Sequence, residues 1–396
     1  MCVHVKKAHL AVAAVLVAGT LGGLLAGVGC SDPAGAPDDD EPKPYVWDLP
    51  PGFPVPRVPE DNPMSEAKVE LGRFLFYDTR LSGNETQSCA SCHQQALAFT
   101  DGRAQGLGST GELHPRSAMS LTNIAYAARL TWANNVLEHL EDQALVPLFG
   151  DDPVELGMGG REAELLARLA DDAAYPMMFA EAFPNDPDPI SVGNVVRALA
   201  SFQRTLISGS SPFDRYTYQG DDSALSERAR MAKDLFDSER LECFHCHGGF
   251  NFSDNIQHDG TIGAEVAFHN NGLYNIDGRG GYPEPNRGIY EQTGERRDMG
   301  RFRAPTLRNI AVTAPYMHDG SIATLDGVLD HYGAGGRTVE EGPNAGVGSE
   351  SPLKSIFLHG FTLTEEERAG LIELFEALTD EQFLTDPRFS NPFEAP

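Results

Sequence analysis

The strongest constraint on this chain is a short pattern that occurs twice, Cys89-Ala90-Ser91-Cys92-His93 and Cys243-Phe244-His245-Cys246-His247. Two thiols three positions apart on one helical turn can add to the two vinyl groups of a single porphyrin. The His beside the second thiol then reaches the iron as its proximal ligand. A zinc site needs further paired ligands at suitable spacing, and none follow. A thioredoxin-type pair would have no use for the His. The repetition therefore predicts two covalent c-type haems, one on Cys89, Cys92 and His93 and one on Cys243, Cys246 and His247. With 41 Gly and 27 Pro in 396 residues, much of the chain is expected to be loop.

The surrounding sequence repeats as well. Leu71-Gly72-Arg73-Phe74-Leu75-Phe76 precedes the first motif and Met231-Ala232-Lys233-Asp234-Leu235-Phe236 the second. Each lies in an amphipathic pattern that starts after a candidate N-cap, Ser65 or Ser226. Val192, Val195, Val196, Leu199 and Phe202 recur at helical spacing before a breaker, Gly209-Ser210-Ser211-Pro212. Thr364 to Glu367 reads as a capping box, and Leu371, Ile372, Phe375 and Leu378 continue it as an apolar stripe. Strand-like alternation is scarce, and Asp277 to Arg303 reads as loop. The expected architecture is all-α: two tandem cytochrome c-like domains, loop-rich, each with one covalent haem. The boundaries fall at 59–210 for the first domain and 211–396 for the second.

Residues 1–29 read as an export signal, with Lys6 and Lys7 before an apolar run. The run ends at Cys30, placed like the lipidated Cys of a bacterial lipoprotein. An acidic Pro- and Gly-rich tether follows over 30–58. The expected location is the periplasm, with a lipid anchor as the only membrane contact. Thirty Lys and Arg against 58 Asp and Glu give a net charge of −28. That balance excludes a nucleic-acid partner, which needs clustered cations.

The two haem motifs, Pro115-Arg116 to Trp132, Gln143 to Glu155, and the segment from Arg303-Ala304-Pro305-Thr306-Leu307-Arg308-Asn309 through Ala314-Pro315-Tyr316-Met317-His318-Asp319-Gly320 resemble the bacterial dihaem cytochrome c peroxidase and MauG superfamily. The resemblance spans nearly all of the mature sequence and is closest to MauG- and MbnH-like enzymes. It implies that the His93 haem reacts with H2O2, with Gln143 and Glu155 as the polar pair over that iron. It implies that Trp132 carries electrons between the haems, and that the carbonyls of Thr313 and Pro315 help to hold a calcium ion. Ser117 stands where the family has a calcium-binding Asn. The His that blocks the first iron in reductively activated peroxidases is replaced by Ser109, with His114 the nearest His. Tyr332 occupies the place of the peroxidases' Met ligand to the second haem, as in MauG.

Three functions follow from what faces each iron. An open first haem and a Tyr332-ligated second haem imply a peroxide-dependent oxidase of an exported protein, with a Trp side chain as its target. A Met-like second site implies a cytochrome c peroxidase fed by a small donor cytochrome. Two six-coordinate irons imply a non-catalytic electron carrier. Met317 and His331 are the rival ligands to Tyr332. His245 reads as a haem-edge residue, and His114, His139, His258, His269 and His359 as surface or packing residues.

Overall fold

A computed structural model describes residues 45–264 and 266–394. The export signal, Cys30 and the first part of the tether lie outside the described residues. Helix α1 (Glu66–Tyr77) starts where the Ser65 side chain accepts a hydrogen bond from the Lys68 N–H. The haem-motif turn α2 (Cys89–Cys92) follows. Then come α3 (Leu140–Phe149), α4 (Glu162–Ala170), α5 (Tyr175–Ala182) and α6 (Val192–Arg204). The second half repeats the plan with α7 (Pro212–Gln219), α8 (Glu227–Phe236), α9 (Phe244–His247), α10 (Tyr290–Thr293), α11 (Leu325–Gly333), α12 (Glu365–Glu376) and α13 (Glu381–Thr385). Among the described residues the sheet content is one two-residue antiparallel pair, β1 (Thr338–Val339) and β2 (Gly346–Val347). Both expected serine caps and the Thr364–Glu367 capping box are present. The run 277–303 is loop apart from α10 and one 3₁₀ turn.

In the first core, α1 lies directly on α6, and Gly72 sets how closely. A Cβ on Gly72 would sit 1.9 Å from the Ala198 carbonyl oxygen, which a backbone atom cannot vacate. Gly72→Ala is therefore expected to destabilise the fold by about 1–3 kcal/mol through overpacking, despite its better helix propensity. A denaturant midpoint equal to wild type would mean that the two helices separate freely.

Leu71, Leu75 and Phe76 join Leu199, Phe202, Phe179 and Leu148 in that core. Phe236, Phe252, Leu371, Leu374 and Leu378 build the second, where α8 meets α12. The described residues form one compact unit, and the last helical stretch crosses back: Phe383, Leu384 and Phe389 belong to the first core. A boundary drawn at 210 does not anticipate that return.

A buried polar knot joins the halves around the 205–211 linker. Asn123 and Asn309 each take a left-handed conformation, φ 57° and 60°, and each starts a 3₁₀ turn. Asn123 accepts from the Ser208 N–H at 2.7 Å, and Asn309 donates to the Ser208 hydroxyl at 3.1 Å. The Asp380 carboxylate accepts from the N–H groups of Gly209 and Ser210 at 3.0 and 2.9 Å. Each half thus grips the same short linker, and every buried group in the grip has a partner.

Candidate active site

The two haem motifs fold alike. His93 Nδ1 donates to the Phe99 carbonyl at 2.8 Å, and His247 Nδ1 faces the Phe252 carbonyl at 3.2 Å. Both acceptors sit at positive φ, 60° and 48°, which turns the carbonyl back toward the ring. A carbonyl on Nδ1 fixes the tautomer and leaves Nε2 as the ligating nitrogen. Cys89, Cys92, Cys243 and Cys246 are all free thiols. Burial pushes Cys89 and Cys243 up to about 12 and Cys92 to about 11.

The second motif opens into a cavity of about 200 Å³. Cys243, Cys246, His247 and Tyr332 all line it, among apolar groups such as Leu307, Leu329 and Phe375. The Tyr332 phenol is pushed above its ordinary value, first by burial and then by the two cysteines. Met317 lines the same space, and its sulfur accepts from Asn271 Nδ2 at 3.3 Å. His331 is buried with neither ring nitrogen hydrogen-bonded, and it does not line the cavity. Tyr332 therefore faces the cavity while its neighbour His331 points away.

Arg303 was not singled out as a site residue by sequence. It lines the cavity at 6% exposure, pairs with no carboxylate among the described residues, and is pushed down to about 10 by burial. An unpaired buried guanidinium costs several kcal/mol unless an anion meets it. Free thiols, an imidazole with Nε2 to spare, an apolar cavity and this lone cation fit a haem with its propionates.

Trp132 is half-buried, with its indole N–H donating to the Ser117 carbonyl at 2.9 Å. It lines the second cavity, and its ring lies 6.5 Å from His318, centroid to centroid. His318 stacks on Phe302 at 3.8 Å, and burial pushes it down to about 4. Its Nε2 is buried without a partner. Ser117 donates to the Met317 carbonyl at 3.2 Å, and its own N–H bonds the His318 carbonyl at 2.9 Å. Ser117 therefore spends its hydroxyl on the segment that also carries Thr313 and Pro315.

Glu155 lies beside the first motif. The loop 106–116 folds back on itself and holds it, with Ser109 N–H donating to the Glu155 carbonyl at 2.7 Å. Gly108 permits this approach, since a Cβ there would meet the Val154 carbonyl at 1.9 Å. The Glu155 side chain keeps 37% of its surface open but is enclosed by enough protein that burial pushes it up to about 7. Its charge is felt at both Cys89 and Cys92. His114 Nε2 lies 3.7 Å from Glu155 Oε1, and burial and Arg116 hold that imidazole low. His114 is thus a packing neighbour of the carboxyl. Gln143 lies on α3, half-buried, one turn before Pro147, whose carbonyl accepts from Leu156 N–H at 2.9 Å. Gln143 and Glu155 are brought to neighbouring segments, with no hydrogen bond between their side chains among the described residues.

The di-haem cytochrome c peroxidase family matches residues 66–223. The methylamine utilization protein MauG of Methylorubrum extorquens is 33% identical over 323 residues, 82% of this chain and 81% of that protein. A cytochrome-c peroxidase of Denitromonas iodatirespirans is 35% identical over 360 residues, 86% and 89% of the two chains. The crystal structure of a MauG-like protein associated with microbial copper homeostasis superposes with a TM-score of 0.86 at 50% identity. It covers 88% of this chain and 100% of that one.

Proposed function

Since the chain belongs to the dihaem cytochrome c peroxidase and MauG family of peroxide-using haem oxidoreductases, we propose that it is a MauG-type enzyme that uses H2O2 to oxidise a side chain, a Trp in the first instance, on a partner protein. The carrying observation is Tyr332, which shares one cavity with Cys243, Cys246 and His247. Cys89, Cys92 and His93 would hold one haem; Cys243, Cys246 and His247 would hold the other, with Tyr332 as its second ligand and Arg303 facing a propionate. When bound, the haems supply peroxide cleavage and storage of the oxidising equivalents.

The residues of the chain do the rest. The Glu155 carboxylate would take a proton from one oxygen of H2O2 and return it to the other, which leaves as water, the exchange that general acid–base catalysis requires. The loop 106–116 holds Glu155 in place and leaves Ser109, too short to ligate, where related peroxidases carry a blocking His. Trp132, oriented by its bond to Ser117, would offer a π-system for electrons passing between the two sites. Tyr332 presents an anionic oxygen once deprotonated, which favours an oxidised metal more than a neutral thioether does. An N-terminal signal that exports the chain, with Cys30 as lipid anchor, would bring it to a partner outside the cytoplasm.

Tyr332→Met separates this reading from its rival. The expected result is a higher reduction potential for the second haem, because a neutral sulfur no longer favours the ferric charge. Oxidation of the partner protein should fall by at least about tenfold, or roughly 1.4 kcal/mol of barrier, while turnover with a reduced donor cytochrome persists. An unchanged potential and unchanged resting spectrum would remove Tyr332 as a ligand. A cytochrome c peroxidase fed by a donor cytochrome would then be the better reading.

A further inference from the structure

Phe302 and His318 form part of the wall of the second cavity, and next to them lie two phenols that none of the chemistry above employs, Tyr282 and Tyr274. The rings make a run. Phe302 and His318 stack at 3.8 Å, Tyr282 stands 6.3 and 6.5 Å from them, and Tyr274 stands 5.5 Å from Tyr282, centroid to centroid. Both phenols are buried. At its cavity end the run reaches Trp132, 6.5 Å from His318. Neighbouring π-systems therefore lead from the second haem site to Tyr274.

The two phenols differ in where their protons can go. Removing one electron from a tyrosine makes its O–H strongly acidic, so the electron leaves readily only where a base takes the proton. Tyr282 accepts from the Leu273 N–H at 3.0 Å and donates to Asn270 Oδ1 at 2.9 Å. That amide oxygen also accepts from the Gly272 N–H at 2.9 Å, and an amide is no base at neutral pH. Tyr274 instead donates to Asp319 Oδ2 at 2.6 Å. A phenol bound to an ionised carboxylate has that length, about 2.5–2.7 Å. Asp319 Oδ1 accepts from the Ser321 N–H at 3.1 Å, which leaves Oδ2 to the phenol. Among the described residues one other tyrosine donates to a carboxylate, Tyr175 to Asp78 Oδ2 at 2.6 Å, and there Arg80 already holds the same oxygen at 2.7 Å. The Arg337 guanidinium lies 5.6 Å over the Tyr274 ring. A cation so placed opposes positive charge on the ring, so oxidation has to expel the proton.

We propose that Tyr274 is a redox-active tyrosine with Asp319 as its proton acceptor, and that it holds an oxidising equivalent which the second haem site has not passed to a partner. One electron moves from the Tyr274 ring, through Tyr282 and the Phe302–His318 stack, to the oxidised haem site, which is reduced by one equivalent. The Tyr274 O–H bond breaks, its proton goes to Asp319 Oδ2, and a neutral phenoxyl radical remains. Return of one electron and that proton restores the phenol. Tyr282 serves as a bridge and stores nothing, because its phenol lacks a base. The oxidant is the H2O2 of the activity proposed above; the inference rests on that activity and not on Tyr332 as a ligand.

The test uses the dihaem holoenzyme, produced with ordinary or ring-deuterated tyrosine, mixed with H2O2, frozen and read by electron paramagnetic resonance. Wild type should show a radical signal that narrows on deuteration, and Tyr274→Phe should lose it. Asp319→Asn keeps Tyr274 but removes the base, and the signal should fall by at least about tenfold. Tyr282→Phe keeps the bridging ring and should retain the signal. Pyridine haemochrome content and the resting absorption spectrum check that each variant folds and holds both haems. A second sample of each protein is oxidised with hexachloroiridate(IV), which needs no cleavage of peroxide. A Tyr274-dependent radical with that oxidant but not with H2O2 would support the tyrosine and remove the peroxide reading instead. A haem spectrum that responds to either oxidant with no tyrosyl signal in wild type, or a signal that survives Tyr274→Phe, would overturn the proposal.

Discussion

Replacing Glu155 with Gln is expected to slow the reaction with peroxide by roughly 10²–10⁴-fold, the range that a positioned acid–base group supplies. The amide keeps the shape and the backbone bond to Ser109 but cannot take up a proton. The resting spectrum should barely change, because the thiols and His93 are untouched. The pH profile carries a second, independent expectation. Burial pushes Glu155 up to about 7, and the active form is the carboxylate. Below that value the carboxylate fraction falls about tenfold per pH unit, so the wild-type rate should fall with it; above it the rate should level off. Glu155→Gln should lose this rise near neutrality. A variant that reacts with peroxide as fast as wild type, measured by stopped flow, would take Glu155 out of the mechanism. His114, 3.7 Å away, would then be the next group to replace.

The second large effect should come from a buried ion pair that the proposed chemistry does not use. Asp214 and Arg308 are both completely buried and form a two-pronged ion pair at 2.8 and 2.9 Å. Arg308 Nε also donates to the Phe250 carbonyl at 2.9 Å, and its guanidinium lies over the Phe53 ring. Asp214 closes the cap of α7 through Ser211. The pair therefore ties α7 to the segment that carries Asn309 and to the loop after the second haem motif. Asp214→Asn leaves a buried guanidinium without its counter-charge, which costs about 3–5 kcal/mol. Replacing both partners, as Asp214→Asn with Arg308→Met, should cost clearly less than the sum of the two single changes, because no bare charge remains. Urea denaturation of the four proteins measures the cycle. A cost for Asp214→Asn below about 1 kcal/mol would mean that water reaches Arg308 there.

Much of the helical plan was legible because local rules decide it. Ser65, Ser226 and Thr364 cap their helices as their side chains predict, since a cap bond spans only three residues. The matching environments of His93 and His247 follow from the repeated motif for the same reason. One local signal went unread. Leu121-Thr122-Asn123-Ile124-Ala125 recurs as Leu307-Arg308-Asn309-Ile310-Ala311, and its two Asn residues are the left-handed pair that grips the linker. Asn tolerates positive φ better than other residues with a Cβ, so a repeated Asn before an apolar pair was a readable sign.

By itself the sequence determined the helical class, the two haem motifs and the candidates Glu155, Trp132 and Tyr332, because each rests on residue type and short spacing. Tertiary structure alone decided which of those residues meet. Tyr332 and His331 are adjacent in sequence, yet of the two only Tyr332 lines the cavity, since neighbours on α11 point about 100° apart. Arg303 acquires its importance only by being buried without a carboxylate. His359 faces Glu242 across more than a hundred residues of chain, and the return of Phe383 and Phe389 to the first core spans still more. Contacts of that range are set by how whole cores close on one another, which no local pattern encodes.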